Sequence, residues 1–199
     1  MTSTGTPHAS LRFRTMTSAK RPQDNSLLCA VLEPERLAVV RVVGRGSFSN
    51  AMALKRFAQH VREKQENCRY ALDLRRCDSM DSTFMGVLAG LSLDRLEGGK
   101  PRVIIVNANE HCQRLLRNLG LSQIIEIREE KLPTSGEESC EEISGDEATP
   151  PSKAEQILLT LQAHKDLVKV DEENEVRFQA VIEYLEKSLA EESRSGNGN

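Results

Sequence analysis

The sequence predicts an α/β domain: a mixed sheet of about five strands with an initial hairpin strand and helices packed on the sheet, plus a C-terminal pair of helices. Short apolar runs typical of strands alternate with helical periodicity between residues 27 and 127. Only a short turn separates the first two runs, which favours a hairpin. The later alternation implies right-handed parallel crossovers.

Composition divides the 199-residue chain into five segments. They are a basic, Ser/Thr-rich lead-in (1–26), the α/β domain (27–127), an acidic linker (128–152), a helical hairpin (153–192) and a short tail (193–199). We expect the lead-in and the tail to be disordered and the linker to be solvated, because they are polar or charged. A transit peptide is the alternative interpretation of the lead-in.

The domain begins with a predicted hairpin, Leu27–Leu32 and Leu37–Val43, joined by a turn that contains Pro34. Apolar residues then recur 3, 6, 7 and 10 positions after Ala51, which predicts an amphipathic helix. Either Ser49 or Asn50 is suited to cap that helix.

The glycine-containing segment Gly44–Ser49, "GRGSFS", lies between that strand and that helix. It matches only the first two glycines of a dinucleotide-binding turn. We favour a turn that needs positive φ, and nucleotide binding is a weak alternative.

The second half of the domain starts with a third strand, Tyr70–Leu74, and an apolar helix from Ser82 to about Leu96. Gly86 and Gly90 lie on one face of that helix. Because glycine costs about 1 kcal/mol relative to alanine in a helix, we expect this face to approach the sheet closely.

A fourth strand, Val103–Val106, is apolar throughout and is expected to be central or covered on both faces. Asn107 or Asn109 is suited to cap the next helix, and Gly120 to end it. Gln123–Ile127 is predicted to be the fifth strand.

The C-terminal segment predicts two amphipathic helices. The first begins with a capping box formed by Ser152 and Glu155. Its apolar stripe is Ile157, Leu158, Leu161 and Val168, and that of the second helix is Phe178, Val181, Ile182, Leu185 and Leu189. We expect the pair to form a hairpin against the domain, a second copy of the chain or a partner.

Bulk composition excludes several functional classes. The net charge of −3 predicts no direct nucleic-acid binding, and no apolar run approaches the roughly 20 residues of a membrane span. Five irregularly spaced cysteines indicate neither a disulfide framework nor a zinc site and fit a reducing cytoplasm. We expect no cofactor and no metal.

Ser82, in "CDSMDSTFMGVLAG", is a candidate nucleophile, helix cap or modification site. A nucleophile elbow needs small neighbours, whereas Met80 and Phe84 flank this serine at two residues' distance. The N-cap is the favoured structural role. A phosphoryl group on Ser82 would be stabilised by the helix N-terminus and would change the charge of the surface.

Two further interpretations of the same region are weaker. Asp73, Asp78 and Asp81 lie around one strand-to-helix junction and have oxygen ligands that suit Mg²⁺, but acidic residues near a helix N-terminus are more simply explained by the helix dipole. Cys77 precedes Ser82 and is expected to be accessible, which leaves a minor redox role open.

Several motifs in register resemble the STAS domain, the fold of bacterial anti-sigma factor antagonists. They are Leu72-Asp73-Leu74, Asp81-Ser82-Thr83, Met85-Gly86-Val87-Leu88, the strand "RVIIVN" (102–107) and "LLRNLGL" (115–121). The resemblance covers about residues 27–127. It implies a regulator without catalysis of its own that acts by partner switching.

The same resemblance implies the partners and the site. An anti-sigma factor that is also a serine kinase would bind the unphosphorylated domain and phosphorylate Ser82, and a PP2C-type phosphatase would reverse the modification. The implied partner-binding residues are Asp81, Ser82, Thr83, Phe84, Met85, Arg45 and Ser47. The alternative is a STAS scaffold or ligand sensor that is not phosphorylated and binds through its C-terminal helices.

Two positions depart from the family pattern. Phe84 stands where the family has glycine, and we expect so bulky a ring near Ser82 to alter the docking of a kinase. Arg45 and Ser47 replace the acidic residues of the family's G-E-L-D segment, and Arg45 is a candidate partner for a phosphate on Ser82.

Overall fold

The computed structural model describes residues 14–15, 25–32, 35–94, 96, 99–132, 141–143 and 151–195. These residues form seven strands and five α-helices. In chain order they are β1 (Arg14–Thr15), β2 (Ser26–Leu32), β3 (Leu37–Gly46), α1 (Phe48–Lys64), β4 (Arg69–Met80), α2 (Ser82–Leu93), β5 (Val103–Val106), α3 (Glu110–Asn118), β6 (Glu126–Arg128), β7 (Glu141–Ile143), α4 (Lys153–Val170) and α5 (Glu173–Ser195).

The strands form one mixed sheet in the order β1-β7-β2-β3-β4-β5-β6. Strands β2 and β3 pair antiparallel, which confirms the hairpin. Strands β3, β4, β5 and β6 pair in parallel, as right-handed crossovers through α1, α2 and α3 require. The mixed sheet and its element order from β2 to β6 are therefore as predicted.

The main core lies on one face of the sheet. Alternate strand residues such as Val40, Leu72 and Ile105 join α1, α2, α3 and α4 in a single apolar cluster. On the other face, Val39, Ala71 and Ile104 belong to a smaller cluster that includes Leu132. The three crossover helices thus share one face of the sheet. Because the strands that precede them are parallel, their N-termini lie at the same end of those strands.

Two predicted strands have different bounds in the structure. Strand β4 runs to Met80 rather than to Leu74, because β3 also extends and the two stay paired as far as Gly46 and Met80. The polar residues before Ser82 are therefore part of a strand. The fifth strand was placed too early: residues 121–123 form a 3-10 turn, and β6 starts at Glu126.

Two short strands add to the predicted sheet and lie in the segments predicted as lead-in and linker. Strand β7, inside the acidic 128–152 segment, pairs antiparallel with the outer edge of β2, and β1 pairs with β7. The predicted tail (193–199) was placed too early, because α5 continues to Ser195. The rest of the lead-in before Asn25, most of the linker and residues 196–199 lie outside the described residues.

Helices α4 and α5 form the predicted hairpin, and α4 packs directly on α2. The predicted stripe of α4 was wrong in part, because Leu158 is 50% exposed while Leu159, Ala163, His164 and Leu167 are buried. Helix α4 lies between α2 and α5, so it buries residues on two sides. None of the described helices has the length and apolar composition needed to span a membrane.

Candidate functional site

The carboxylate of Asp81 joins the N-termini of two helices. Its Oδ1 accepts a hydrogen bond from the Phe84 N–H at 2.8 Å, so Asp81 and not Ser82 is the N-cap of α2. Its Oδ2 accepts from the Phe48 N–H at 2.9 Å, in the first turn of α1. The predicted cap roles of Ser82 and of Ser49 or Asn50 are therefore wrong, because one acidic side chain reaches both helix ends.

Ser82 is the first residue of α2, and its hydroxyl faces α4. Its Oγ lies 3.1 Å from His164 Nε2. His164 Nδ1 lies 2.8 Å from the Thr160 carbonyl oxygen, so in the neutral ring Nδ1 donates to that oxygen and Nε2 accepts from the Ser82 hydroxyl. Ser82 is half-buried, and its described polar partner comes from the C-terminal hairpin.

His164 connects three helices. Its side chain contacts Ser82 of α2, and its ring meets the Phe178 ring of α5 edge-on, with 4.8 Å between centroids. The residue is only 4% exposed. A serine beside a histidine is the arrangement of a nucleophilic pair. The histidine here is buried and is oriented by a backbone carbonyl instead of a carboxylate.

The Phe84 ring points into the core and away from the surface around Ser82. Phe84 is fully buried. A Cβ built on Gly46 would lie 2.8 Å from Phe84 Cδ1, so the ring occupies the space that any side chain at Gly46 would need. The ring itself therefore does not cover Ser82, and an effect of Phe84 on the docking of a kinase stays a prediction.

Gly86 and Gly90 face α4 and not the sheet, which corrects the expected close approach. A Cβ on Gly86 would lie 2.6 Å from Ala163 Cβ and closer still to the Ala163 carbonyl oxygen. A Cβ on Gly90 would lie 2.7 Å from Asp166 Oδ2. The two glycines allow the backbones of α2 and α4 to approach each other directly below Ser82.

Apolar burial holds α4 on this face. Leu159 and Leu167 are 2% and 0% exposed and belong to the main core cluster. Burial of a leucine side chain stabilises by about 1.5–3 kcal/mol. Displacement of α4 would expose both residues, so the closed hairpin is the favoured state of the unmodified chain.

The other predicted partner-binding residues differ in accessibility. Thr83 and Met85 are buried, at 7% and 5% exposure. Ser47 is half-buried at the N-cap position of α1, without a side-chain capping bond. Arg45 is exposed and pairs in register with Ser79 of β4. Their roles in binding, and a contact between Arg45 and a phosphate, stay predictions.

The acidic residues near Ser82 differ in burial and in their contacts. Asp73 is buried and contacts Arg41 and Asn107, whereas Asp78 is exposed. The described residues hold no cluster of three or more His, Cys, Asp or Glu side chains arranged to bind a metal.

Cys77 is buried, at 1% exposure, contrary to the sequence expectation. Because β4 extends to Met80, Cys77 lies within the strand, and its side chain points into the core beside Cys112. A hydrogen bond with Cys112, together with burial, raises the pKa of the Cys77 thiol, so it is a poor nucleophile.

Gly44 has the positive φ predicted for the segment Gly44–Ser49, at 74°. It lies at an irregularity in the pairing of β3 with β4, and the next N–H, of Arg45, donates to Asn25 Oδ1 at 2.7 Å. The positive φ of Gly44 is thus explained by the irregular pairing of β3 with β4.

A family model described as "Mlab, STAS domain" matches residues 29–128, half of the chain. The chain belongs to the STAS domain family. The matched region runs from β2 to the end of β6, so α4 and α5 lie beyond the STAS domain in sequence. No curated protein matches the chain.

Two solved structures are similar to the STAS domain. One is described as an anti-sigma factor antagonist from Thermotoga maritima; it has 19% identity, covers 51% of this chain and 85% of that one, and has a TM-score of 0.41. The other is the anti-sigma factor antagonist SpoIIAA in its unphosphorylated form, with 18% identity, 51% and 86% coverage, and a TM-score of 0.43.

His164 is the site residue that sequence reasoning missed. It lies 82 positions from Ser82, in a segment outside the STAS domain, and no local motif connects the two. One signal was available: the two glycines of α2 required a close neighbour, and the hairpin was the unassigned element that supplies it.

Proposed function

We propose that this STAS domain is a non-catalytic cytoplasmic regulator of the anti-sigma factor antagonist type. It binds an anti-sigma factor that is also a serine kinase, through the surface that carries Asp81 and Ser82. Phosphorylation of Ser82 weakens that binding, and a PP2C-type phosphatase restores it.

The position of Ser82 at the start of α2 carries the proposal. Ser82 lies within the Asp81-Ser82-Thr83 block by which the chain resembles the antagonists, and its Oγ is at the positive end of a 12-residue helix. A phosphoryl group there adds about −1.5 to −2 charges without breaking the helix. A differential binding energy of about 1–3 kcal/mol is enough to change partner affinity about 5- to 150-fold.

The position of the Phe84 ring supports this function. Phe84 replaces the glycine of the family pattern, but its ring is buried against Gly46 and does not cover Ser82.

Affinity capture from the native cell tests the proposal. Wild type and Ser82→Ala are expected to retain an anti-sigma factor with a kinase domain, and Ser82→Asp to lose it. Ser79→Asp places the same charge three residues earlier and serves as the control. Intact-mass measurement should find one added phosphoryl group on wild type and none on Ser82→Ala. Equal capture by all variants, with an unmodified Ser82, contradicts the proposal.

A second candidate is a STAS scaffold that binds through its C-terminal helices. The outer face of α5 favours it, because Val176 and Tyr184 are 85% and 69% exposed. In that case Tyr184→Ala abolishes capture of the partner while Ser82→Asp leaves it unchanged. The opposite pattern is expected for the antagonist function.

A further inference from the structure

From the contact between α4 and the start of α2, we propose that the C-terminal hairpin is an internal competitor for the Ser82 surface. The hairpin hides Ser82 and the Gly86 face of α2 from a kinase or partner, and a phosphoryl group on Ser82 displaces it. This inference rests on the proposed function and adds the regulation of the same site.

The first argument is steric. Ser82 Oγ and His164 Nε2 are 3.1 Å apart, a hydrogen-bond distance. A phosphoryl group on that oxygen replaces the hydrogen bond to Nε2 and adds three further oxygens beside the imidazole. The imidazole contacts the Thr160 carbonyl and the Phe178 ring, which both belong to the hairpin. We therefore expect the imidazole to move away from Ser82 together with the hairpin.

The second argument is electrostatic. The lysines of α4 near this contact are already paired: Lys165 with Glu186, and Lys169 with Asp166. On the other side of Ser82, the Asp81 carboxylate is itself anionic and caps two helices. Among the described contacts, the closed hairpin therefore offers a phosphate on Ser82 the imidazole of His164 and no lysine or arginine.

The third argument is that closure and phosphorylation are reciprocally linked. If a phosphate on Ser82 disfavours the closed hairpin, a closed hairpin disfavours phosphorylation of Ser82 by the same free energy. A partner that binds the α2 face competes with α4 in the same way. The hairpin then sets how readily the STAS domain enters the phosphorylation cycle.

Gly86 provides a way to open the hairpin without a phosphate. In Gly86→Ala, the new methyl group meets the backbone carbonyl and Cβ of Ala163, neither of which moves independently of α4. Alanine is also a better helix former than glycine within α2. Gly90→Ala is the matched control, because the three atoms nearest to its methyl group belong to the Asp166 side chain and not to the backbone of α4.

Hydrogen exchange of the purified full chain, read by mass spectrometry, tests the inference. Chains carrying phosphoserine at position 82, phosphoserine at position 79, Gly86→Ala or Gly90→Ala are compared with the unmodified chain. We expect α4 to lose protection about 10-fold or more with phosphoserine 82 and with Gly86→Ala, while β4 and β5 keep theirs. Phosphoserine 79 and Gly90→Ala should change α4 less than about 3-fold, because the side chain of Ser79 contacts His111 and not α4.

Two results would overturn the inference. One is full protection of α4 in the chain with phosphoserine 82. The other is loss of protection in α4 and β5 together, which would make the hairpin an inseparable part of the core. Neither result involves a partner, so capture of the anti-sigma factor by wild type and its loss with Ser82→Asp would still support the proposed function. Conversely, if α4 opens with phosphoserine 82 but no kinase is captured, the hairpin competes for the Ser82 surface and the proposed partner is contradicted.

Discussion

The Phe84 ring lies against Gly46, and each residue restricts what the other position can accept. A Cβ on Gly46 would be 2.8 Å from Phe84 Cδ1, and the ring is fully buried, so it cannot move outward to make room. We predict that Gly46→Ala lowers the free energy of unfolding by about 1–3 kcal/mol. Urea denaturation of the purified chain measures the change.

A double-mutant cycle identifies the cause of that loss. Phe84→Leu alone opens space in the core, and in its presence Gly46→Ala should be less destabilising than in wild type. If the losses in unfolding free energy are additive, contact with the Phe84 ring is not the reason for the glycine at position 46.

The weak alternative of nucleotide binding at residues 44–49 makes a different prediction. A nucleotide would then stabilise wild type and not Gly46→Ala, and we expect no such difference.

Asp81→Ala should destabilise two helices at once. It removes the acceptors of the Phe84 and Phe48 N–H groups, and capping bonds of this kind contribute about 0.5–2 kcal/mol each. We predict a total loss of about 1–4 kcal/mol in urea denaturation. Asp81→Asn keeps one side-chain oxygen and should lose less.

Asp78→Ala provides the control for Asp81, because it removes an exposed carboxylate from β4, three residues earlier. It should change the stability by less than about 0.5 kcal/mol. If the two alanine variants lose equal stability, the bridge between the helices is not what Asp81 contributes.

Asn174 attaches the turn of the hairpin to the STAS domain. The residue is 1% exposed, and its Nδ2 donates to the carbonyl oxygens of Leu119 and Leu167 at 3.1 and 2.9 Å. Asn174→Asp replaces the donor with a carboxylate oxygen that faces two carbonyl oxygens. We predict a loss of about 1–3 kcal/mol and faster hydrogen exchange in α5, with a smaller loss for Asn174→Ala.

Gln179→Glu makes the same amide-to-acid change at an exposed position of α5. Its effect on stability should stay within about 0.5 kcal/mol. Comparable exchange in the two acidic variants would mean that charge on α5, and not the buried amide, loosens the helix.

Tyr70 should make the stability of the domain fall at alkaline pH. The side chain is fully buried and donates to the Ala58 carbonyl oxygen at 3.0 Å, and burial raises its pKa. The contribution is complete below the pKa of the unfolded chain, about 10, and declines as the pH rises towards the folded value, because the unfolded state loses its proton first.

Tyr70→Phe isolates that titration. At pH 7 the variant should lose about 0.5–1.5 kcal/mol with the hydrogen bond to Ala58, and this difference from wild type should shrink above about pH 10. Urea denaturation at a series of pH values measures it. Tyr184→Phe makes the same change at a 69% exposed tyrosine, outside the core, and serves as the control. A constant difference for Tyr70→Phe would contradict the assigned titration.

Local sequence patterns predicted the elements well where a short stretch contains the whole signal. Asn109 caps α3 through the Cys112 N–H, Gly120 has the left-handed φ of a helix end, and Ser152 forms the capping box with Glu155. These interactions span two to four residues. The sequence therefore contains both partners within one window.

Prediction failed where a second element supplies the partner. The length of β4 depends on β3, which pairs with it beyond the apolar run that ends at Leu74. The stripe of α4 was misassigned because the helix contacts α2 and α5 together, which its own periodicity does not reveal. Cys77 was expected to be accessible for the same reason: the strand that buries it was taken for a loop.

The sequence by itself determined the order of the elements, the hairpin that opens the sheet, the STAS resemblance and the position of Ser82 at the start of a helix. These depend on periodicity, turn residues and short motifs. Only the tertiary structure decided what surrounds that serine: Asp81 caps α1 across 33 positions, Phe84 turns inward over Gly46, and His164 contacts Ser82 across 82 positions. The physical reason is that each of these contacts joins residues of different elements, and their meeting depends on how α1, α2 and α4 pack at one edge of the sheet.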